Sequence, residues 1–258
     1  MNLTVFFIIT IFFYMSVFFV IAVIRKDNSL ADIAWGGGFV LVAFLSFFLA
    51  HGYAEARQVL VTGLVTLWGA RLAIYIFFRN KGRGEDYRYA KWRKEWGRFF
   101  LLRSYFQVFM LQGALLLLIA FSAIYINLHP SRGLTIFDGF GLLIWITGFF
   151  FETTGDFQLF QFKKDPENRG KVMKYGLWKY TRHPNYFGEA TMWWGIFIMA
   201  ISVKGGLFTI ISPIAITFLL LKVSGIPMLE KKLAESQPGY AKYQETTNAF
   251  FPWFPRKA

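Results

Sequence analysis

Apolar positions dominate this chain in long, nearly unbroken runs, and the polar positions gather between them. The runs fall at about 3–24, 30–50, 59–78, 105–126, 137–160, 189–203 and 206–226. Most reach the ~20 residues that an α-helix needs to cross a hydrocarbon core. No strict alternation of apolar and polar residues argues for strands. The pattern therefore predicts an all-α integral membrane protein with seven transmembrane helices. The opening run, "MNLTVFFIITIFFYMSVFFVIAVIRK", lacks a basic leader and a small-residue cleavage site, and reads as a retained span. No repeat or compositional break marks a second domain. The expectation is a single domain over 1–258, with its helices in two groups, about 1–104 and about 105–258.

Charge adds an orientation. The chain has 28 Lys and Arg against 15 Asp and Glu, a formal net charge of +13. With the N-terminus outside, 23 of those cations fall in the four cytoplasmic segments and 3 in the outer loops. That asymmetry predicts seven spans with a cytoplasmic C-terminus, and explains the basic balance without nucleic acid as a partner. The absence of cysteine excludes disulfides, thiolate nucleophiles and Cys-ligated metals. The tail "LEKKLAESQPGYAKY" predicts an amphipathic helix broken at Gln237-Pro238-Gly239.

Polar residues at the ends of apolar helices are the candidates for chemistry. In "YTRHPNYFGEATMWWG", Tyr180 to Gly195, Pro184 suits the first turn of the sixth helix. Arg182, His183 and Asn185 stand at its mouth. They either anchor and cap that helix or hold an anion at its positive end. Glu152 and Asp156 share one face of the fifth helix, where ionisable groups are expensive and usually functional. Lys163, Lys164, Arg169 and Lys171 follow and suit phosphates, or are an ordinary positive-inside loop.

In "SLADIAWGGGF", Asp32 at the start of the second span is either a titratable catalytic group or part of a capping box with Ser29. Trp35 lies beside it, and Gly36–Gly38 suit close helix packing. Arg71 within the third span needs a cavity or a carboxylate. Trp68, Arg83 and Tyr87 lie on or just after that span. His51, His129 and His183 occupy separate loops, so no metal site is expected.

"GDFQLFQFKKDPENRGKVMKYGLWKYTRHPNYFGEATMWWG" resembles the C-terminal region of the steroid 5-alpha-reductase family. "SLADIAWG", "TLWGARL" and "GEDYRY" resemble its bacterial members. The resemblance implies seven helices around NADPH, with an apolar enone such as a 3-oxo-Δ4 steroid entering from the bilayer. It implies cofactor contacts at Asp156, Asn185, Lys163, Lys171, Arg83 and Tyr180, with Glu152 where the family has Asn. Arg169, Arg182 and His183 join that set from their position, and Glu230, Tyr240 and Tyr243 from the tail. The family's ketone-polarising acid falls near Asp32, and a catalytic Tyr falls on Trp68. The expected reaction is hydride transfer to the β-carbon, with Asp32 as donor to the ketone and Tyr87 or solvent protonating the α-carbon. Two other readings stay open: an S-adenosylmethionine-dependent methyltransferase of the isoprenylcysteine carboxyl type, which shares an RHPxYxG-like element, and a non-enzymatic sterol- or lipid-binding protein.

Overall fold

The computed structural model describes residues 2–50, 55–82, 84–129 and 133–256, and within them every regular element is helical. Eleven α-helices are numbered here in chain order: α1 Leu3–Arg25, α2 Leu30–Phe48, α3 Ala56–Asn80, α4 Tyr87–Trp96, α5 Phe100–Arg103, α6 Leu111–Leu128, α7 Ile136–Lys164, α8 Pro184–Ala200, α9 Ile211–Phe218, α10 Ile226–Ser236 and α11 Tyr240–Thr246. A 3-10 turn, entered at Gly97 with φ +48°, and a π-helical stretch, Ser104–Met110, link α4, α5 and α6 in one helical stretch from Tyr87 to Leu128.

Six helical stretches among the described residues are long and apolar enough to span a membrane: Leu3–Arg25, Leu30–Phe48, Ala56–Asn80, Tyr87–Leu128, Ile136–Lys164 and Gly206–Ser236. The remaining expected segment, 189–203, sixth in chain order, is α8, which begins five residues earlier, at Pro184. Its 17 residues rise about 25 Å, short of a ~30 Å hydrocarbon core. The chain is a multi-pass membrane protein by the length and composition of these helices.

The chain forms two compact units. The first comprises Met1–Leu134 with Val203–Thr209. Its core contains Met15, Phe39, Trp68, Phe109 and Leu116, all nearly inaccessible. Gly36 and Gly69 let α2 and α3 touch backbone to backbone: a Cβ at either would lie 2.7 Å from the other's carbonyl oxygen.

The second unit comprises Thr135–Ser202 with Ile210–Ala258. Antiparallel α7 and α8 are its spine. Gly141, Gly148 and Gly155 recur every seven residues along α7 and meet Gly195, Gly188 and Pro184 of α8. A Cβ at Gly148 would sit 2.5 Å from the Gly188 carbonyl oxygen, and one at Gly188 2.4 Å from that of Gly148. A seven-residue period keeps the small residues on one stripe, so the two backbones stay in contact over about three turns. After α9 the tail forms α10 and α11, broken at Gly239 with φ +84°, where the sequence places its Pro-Gly stop.

Candidate functional site

In the second unit, the glycine stripe fixes the polar end of the α7–α8 pair. Gly155 packs under Pro184, bringing Asp156 and Asn185 within reach. Asn185 Nδ2 donates to Asp156 Oδ1 at 3.2 Å. Asn185 therefore bonds across to α7 from the first turn of α8; the cap position belongs to His183. Glu152 is buried one turn before Asp156, and Glu189 stands one turn after Asn185.

The loop between α7 and α8 is tied down at several points. The Trp178 indole donates to the Gly155 carbonyl at 3.1 Å. The Leu177 amide donates to Gln158 Oε1 at 3.0 Å. The Tyr243 hydroxyl, on α11, donates to the Trp178 carbonyl. Lys163, Lys164, Arg169 and Lys171 are all exposed along the α7 terminus and this loop.

Arg182 and His183 turn towards the tail. Arg182 forks onto Glu230 of α10, Nε to Oε1 at 2.7 Å and Nη2 to Oε2 at 3.2 Å. Its Nη1 donates to the Gln244 carbonyl at 3.0 Å and to the Thr247 carbonyl. His183 Nε2 meets Glu230 Oε1 at 2.9 Å, and Gln244 Nε2 donates to Glu230 Oε2 at 2.9 Å. Burial lowers the His183 pKa below the usual imidazole value; the Glu230 hydrogen bond opposes this and Arg182 reinforces it. The inaccessible His183 ring is left with Nδ1 unpartnered. Tyr180 accepts from the Trp253 amide at its carbonyl, 2.9 Å, and its ring lies edge-on to Phe254.

The sequence-derived cofactor set thus divides. Asp156 and Asn185 are joined, with Glu152 buried beside them; Lys163, Arg169 and Lys171 form an exposed basic edge. Tyr180, Arg182, His183 and Tyr243 fasten the tail to the loop, and the buried His183 Nδ1 is left without a partner. Arg83 lies outside the described residues. Glu230 holds this clamp together, and Gln244 completes it. An isolated Glu on an amphipathic helix carries little signal in sequence, although the pairing of a lone basic doublet with a tail acid is a pattern to search for.

The second constellation lies in the first unit, where the start of α2 meets α4. Arg88 Nη2 donates to Asp32 Oδ2 at 2.6 Å, and the Tyr89 hydroxyl donates to Asp32 Oδ1 at 2.6 Å. Gln112 Nε2 reaches the Tyr89 oxygen at 3.4 Å. Arg88 also donates to Asp86 Oδ1 at 2.9 Å. Burial works to raise the Asp86 pKa, but the hydrogen bond and charge of Arg88 carry it below the usual value.

The capping box expected of Ser29 and Asp32 is absent: the Ser29 hydroxyl accepts from the Asp86 amide at 2.7 Å and makes no cap. Asp32 looks across to α4 because a guanidinium and a phenol are stronger partners there than one more helix amide. Glu85 closes the network, accepting from the Asn28 amide at 2.9 Å and from Arg93 at 2.7 and 2.9 Å.

Trp35 and Trp68 flank Phe39 in a row of edge-on rings with centroids 5.1 and 5.0 Å apart. Tyr87 is 39% exposed, whereas Tyr89 is 2% exposed. Two residues apart on a helix is 200°, so the two phenols face opposite ways. Arg88 and Tyr89 belong to "GEDYRY", which in sequence offers acid and phenol groups at the membrane surface with local salt bridging as the simplest account; Arg88 makes such bridges to Asp32 and Asp86. Among the described residues, no group of three or more His, Asp or Glu side chains is placed to hold a metal ion.

Comparison with known proteins adds three findings. A family model described as "Protein of unknown function (DUF1295)" matches residues 18–247. An uncharacterised protein of Schizosaccharomyces pombe is 27% identical over 261 residues, covering 90% of this chain and 74% of the yeast protein. The human 3-oxo-5-alpha-steroid 4-dehydrogenase 1 is 36% identical over 70 residues, which is 27% of this chain and 26% of the human enzyme.

Proposed function

The chain belongs to the DUF1295 family, and from that premise and its partial similarity to a steroid dehydrogenase we propose that it is an NADPH-dependent membrane reductase. The reaction is reduction of the C=C bond of an α,β-unsaturated ketone dissolved in the bilayer, a 3-oxo-Δ4 steroid or a similar apolar enone. The observation that carries the reading is the joined Asp156–Asn185 pair at the mouth of α8, bordered by exposed Lys163, Arg169 and Lys171. The positive-inside asymmetry supports an outer N-terminus, with the basic edge of the second unit in the cytoplasm.

The donor and acceptor types suit a dinucleotide. Asp156 and Glu152 accept hydrogen bonds, as ribose hydroxyls or a carboxamide require, and Asn185 gives or accepts one. The exposed cations match phosphate charge, including a 2′-phosphate. His183 Nδ1 is a buried polar atom still without a partner, and a bound ligand would satisfy it. Arg182 gives four of its five N–H donors to Glu230 and two tail carbonyls, so one Nη2 N–H is left for a phosphate. When bound, NADPH supplies a hydride to the β-carbon of the enone.

Charge then develops on the ketone oxygen, and a positioned donor lowers that barrier. Both Asp32 oxygens accept hydrogen bonds, so Tyr89 replaces Asp32 as donor in this mechanism. The phenol shifts its hydrogen bond from the carboxylate to the enolate oxygen as negative charge grows there, and solvent supplies the proton that the α-carbon takes up to complete the reduction. Asp32, fixed by Arg88, positions the phenol.

The test is to purify the full chain in detergent, identify co-purifying nucleotide by mass spectrometry, and measure NADPH and NADH affinities. NADPH should bind more tightly, and Lys163→Ala with Arg169→Ala should narrow the difference. One lost charge-assisted contact corresponds to about 1.5–3 kcal/mol. Equal affinities remove the 2′-phosphate site. Binding of S-adenosylmethionine without NADPH would favour the methyltransferase, and binding of neither, with no turnover of any enone, a lipid-binding role.

A further inference from the structure

The last residues of the chain carry an apolar surface that lies outside every candidate span. Phe251 and Trp253 are each 69% exposed and Phe254 is 74% exposed. This is no frayed end. The Arg182 amide donates to the Asn248 carbonyl at 2.9 Å, and the Thr181 hydroxyl donates to the Phe250 carbonyl at 2.8 Å. The Trp253 amide donates to Tyr180 at 2.9 Å, and the Arg256 amide to Thr246 at 2.8 Å. Backbone bonds thus hold three large aromatic side chains outward, where water would otherwise wet them. An exposed apolar cluster in a fixed conformation needs a partner.

We propose that this segment is an interfacial anchor: Phe251, Trp253 and Phe254 seat in the headgroup boundary of the bilayer, beside anionic lipids. Three observations select a membrane surface as the occupant. The first is depth. Phe251 and the buried Phe250 pack on Phe187, in the first turn of α8, with ring centroids 6.1 and 5.7 Å away. The cluster therefore sits level with the first turn of α8, which packs along the candidate span α7, and aromatic belts form near the ends of such spans.

The second observation is charge. Residues 169–182 and 246–256 contain six Lys and Arg and no Asp or Glu. Of these, Lys179 and Arg256 are exposed beside the aromatic cluster, Lys179 lying over the Tyr180 ring that touches Phe254, and Lys174 is exposed on the same loop as Lys179. Apolar rings with flanking cations are the composition that binds an anionic interface. The third is the side-chain type, since Trp suits a boundary that is apolar on one side and wet on the other.

The chain has no cysteine, so single introduced thiols can be labelled specifically. Phe251→Cys, Trp253→Cys and, as an aqueous reference on the exposed face of α11, Glu245→Cys would each carry an environment-sensitive fluorophore. The full chain is reconstituted in phosphatidylcholine vesicles with and without phosphatidylglycerol. Lipid-borne quencher should reach the labels at 251 and 253 more strongly than the one at 245, and aqueous iodide should do the reverse. Phosphatidylglycerol should deepen the difference, and Lys179→Gln should weaken that increment about fivefold, the equivalent of about 1 kcal/mol per cation near an anionic surface. The triple variant K174Q/K179Q/R256Q should abolish it. Iodide reaching all three labels alike in both vesicles overturns the proposal. So does shielding that disappears on diluting the protein into more lipid, because the cluster would then be covered by a second copy of the chain.

Discussion

Tyr87 and Tyr89 are two positions apart in the same helix, and only one of them can serve Asp32. The phenol of Tyr89 is buried and bonded to Asp32 at 2.6 Å; that of Tyr87 is half-exposed on the opposite face. Tyr89→Phe should lower enone reduction by roughly 10²–10³-fold, the scale of removing one oxyanion donor, with NADPH affinity unchanged in a direct titration. Tyr87→Phe should leave turnover near its starting value. Asp32→Leu removes the carboxylate that Arg88 needs and should lower both turnover and stability, the latter by about 1–3 kcal/mol. Asp32→Asn should restore part of each. If Tyr89→Phe keeps full activity while Asp32→Leu abolishes it, the donor is Asp32 itself. The candidate pair Asp156 and Asn185 was legible from sequence because both stand at the edge of apolar helices, where polar groups require explanation. The Tyr89 contact was not, since three consecutive polar or aromatic residues look alike until the phase of α4 is known.

At the scale of elements, hydropathy located the helices well where both ends met polar loops. It failed between 79 and 104, which reads as a charged loop but is helical from Tyr87 onward. There the Lys and Arg alternate with Tyr, Trp and Phe on a surface helix, so a window tuned to continuous apolar runs sees nothing. The pairing of α7 with α8 was also written in the chain, as glycines seven apart at 141, 148 and 155 and at 188 and 195. This signal is about spacing, and a reading guided by hydrophobicity overlooks it. Its energetic weight can be measured. A methyl at Gly188 would strike the Gly148 carbonyl at 2.4 Å and the Glu152 amide at 2.5 Å, both backbone atoms with no rotamer to change. Gly188→Ala should therefore destabilise the protein by about 1–3 kcal/mol and loosen NADPH binding by spreading Asp156 from Asn185. Gly139→Ala, on α7, meets no atom within 4 Å and should leave both thermal stability and affinity unaltered or slightly improved. Equal behaviour of the two variants would show that the α7–α8 approach has slack.

At the scale of the whole molecule, the end of the chain closes back on the residues that precede α8, through one acid. Glu230 accepts from Arg182, His183 and Gln244 together, so the tail's position depends on the protonation of a buried cluster. His183 has its pKa lowered, chiefly by burial, and is neutral in the native state near neutrality. In the unfolded chain it titrates near the ordinary value of about 6.5. As pH falls through that value, the unfolded state takes up a proton that the folded state refuses. Stability is therefore fully present above about pH 6.5 and declines as pH drops towards the folded pKa. Thermal unfolding of the detergent-solubilised protein should accordingly shift to lower temperature between pH 8 and pH 5, in steps of about 1.4 kcal/mol per unit of pKa difference. His183→Gln keeps an N–H donor for Glu230 but cannot titrate, so its curve should be flatter over the same range, the other histidines being common to both proteins. Burial works to raise the Glu230 pKa, but hydrogen bonds from His183, Arg182 and Gln244 hold it at about 2, so Glu230 stays ionised over this range and limited proteolysis after Ser236 should rise with global unfolding and not ahead of it. If wild type and His183→Gln lose stability in parallel on acidification, the pH response belongs to other groups and the clamp is held by Arg182 alone.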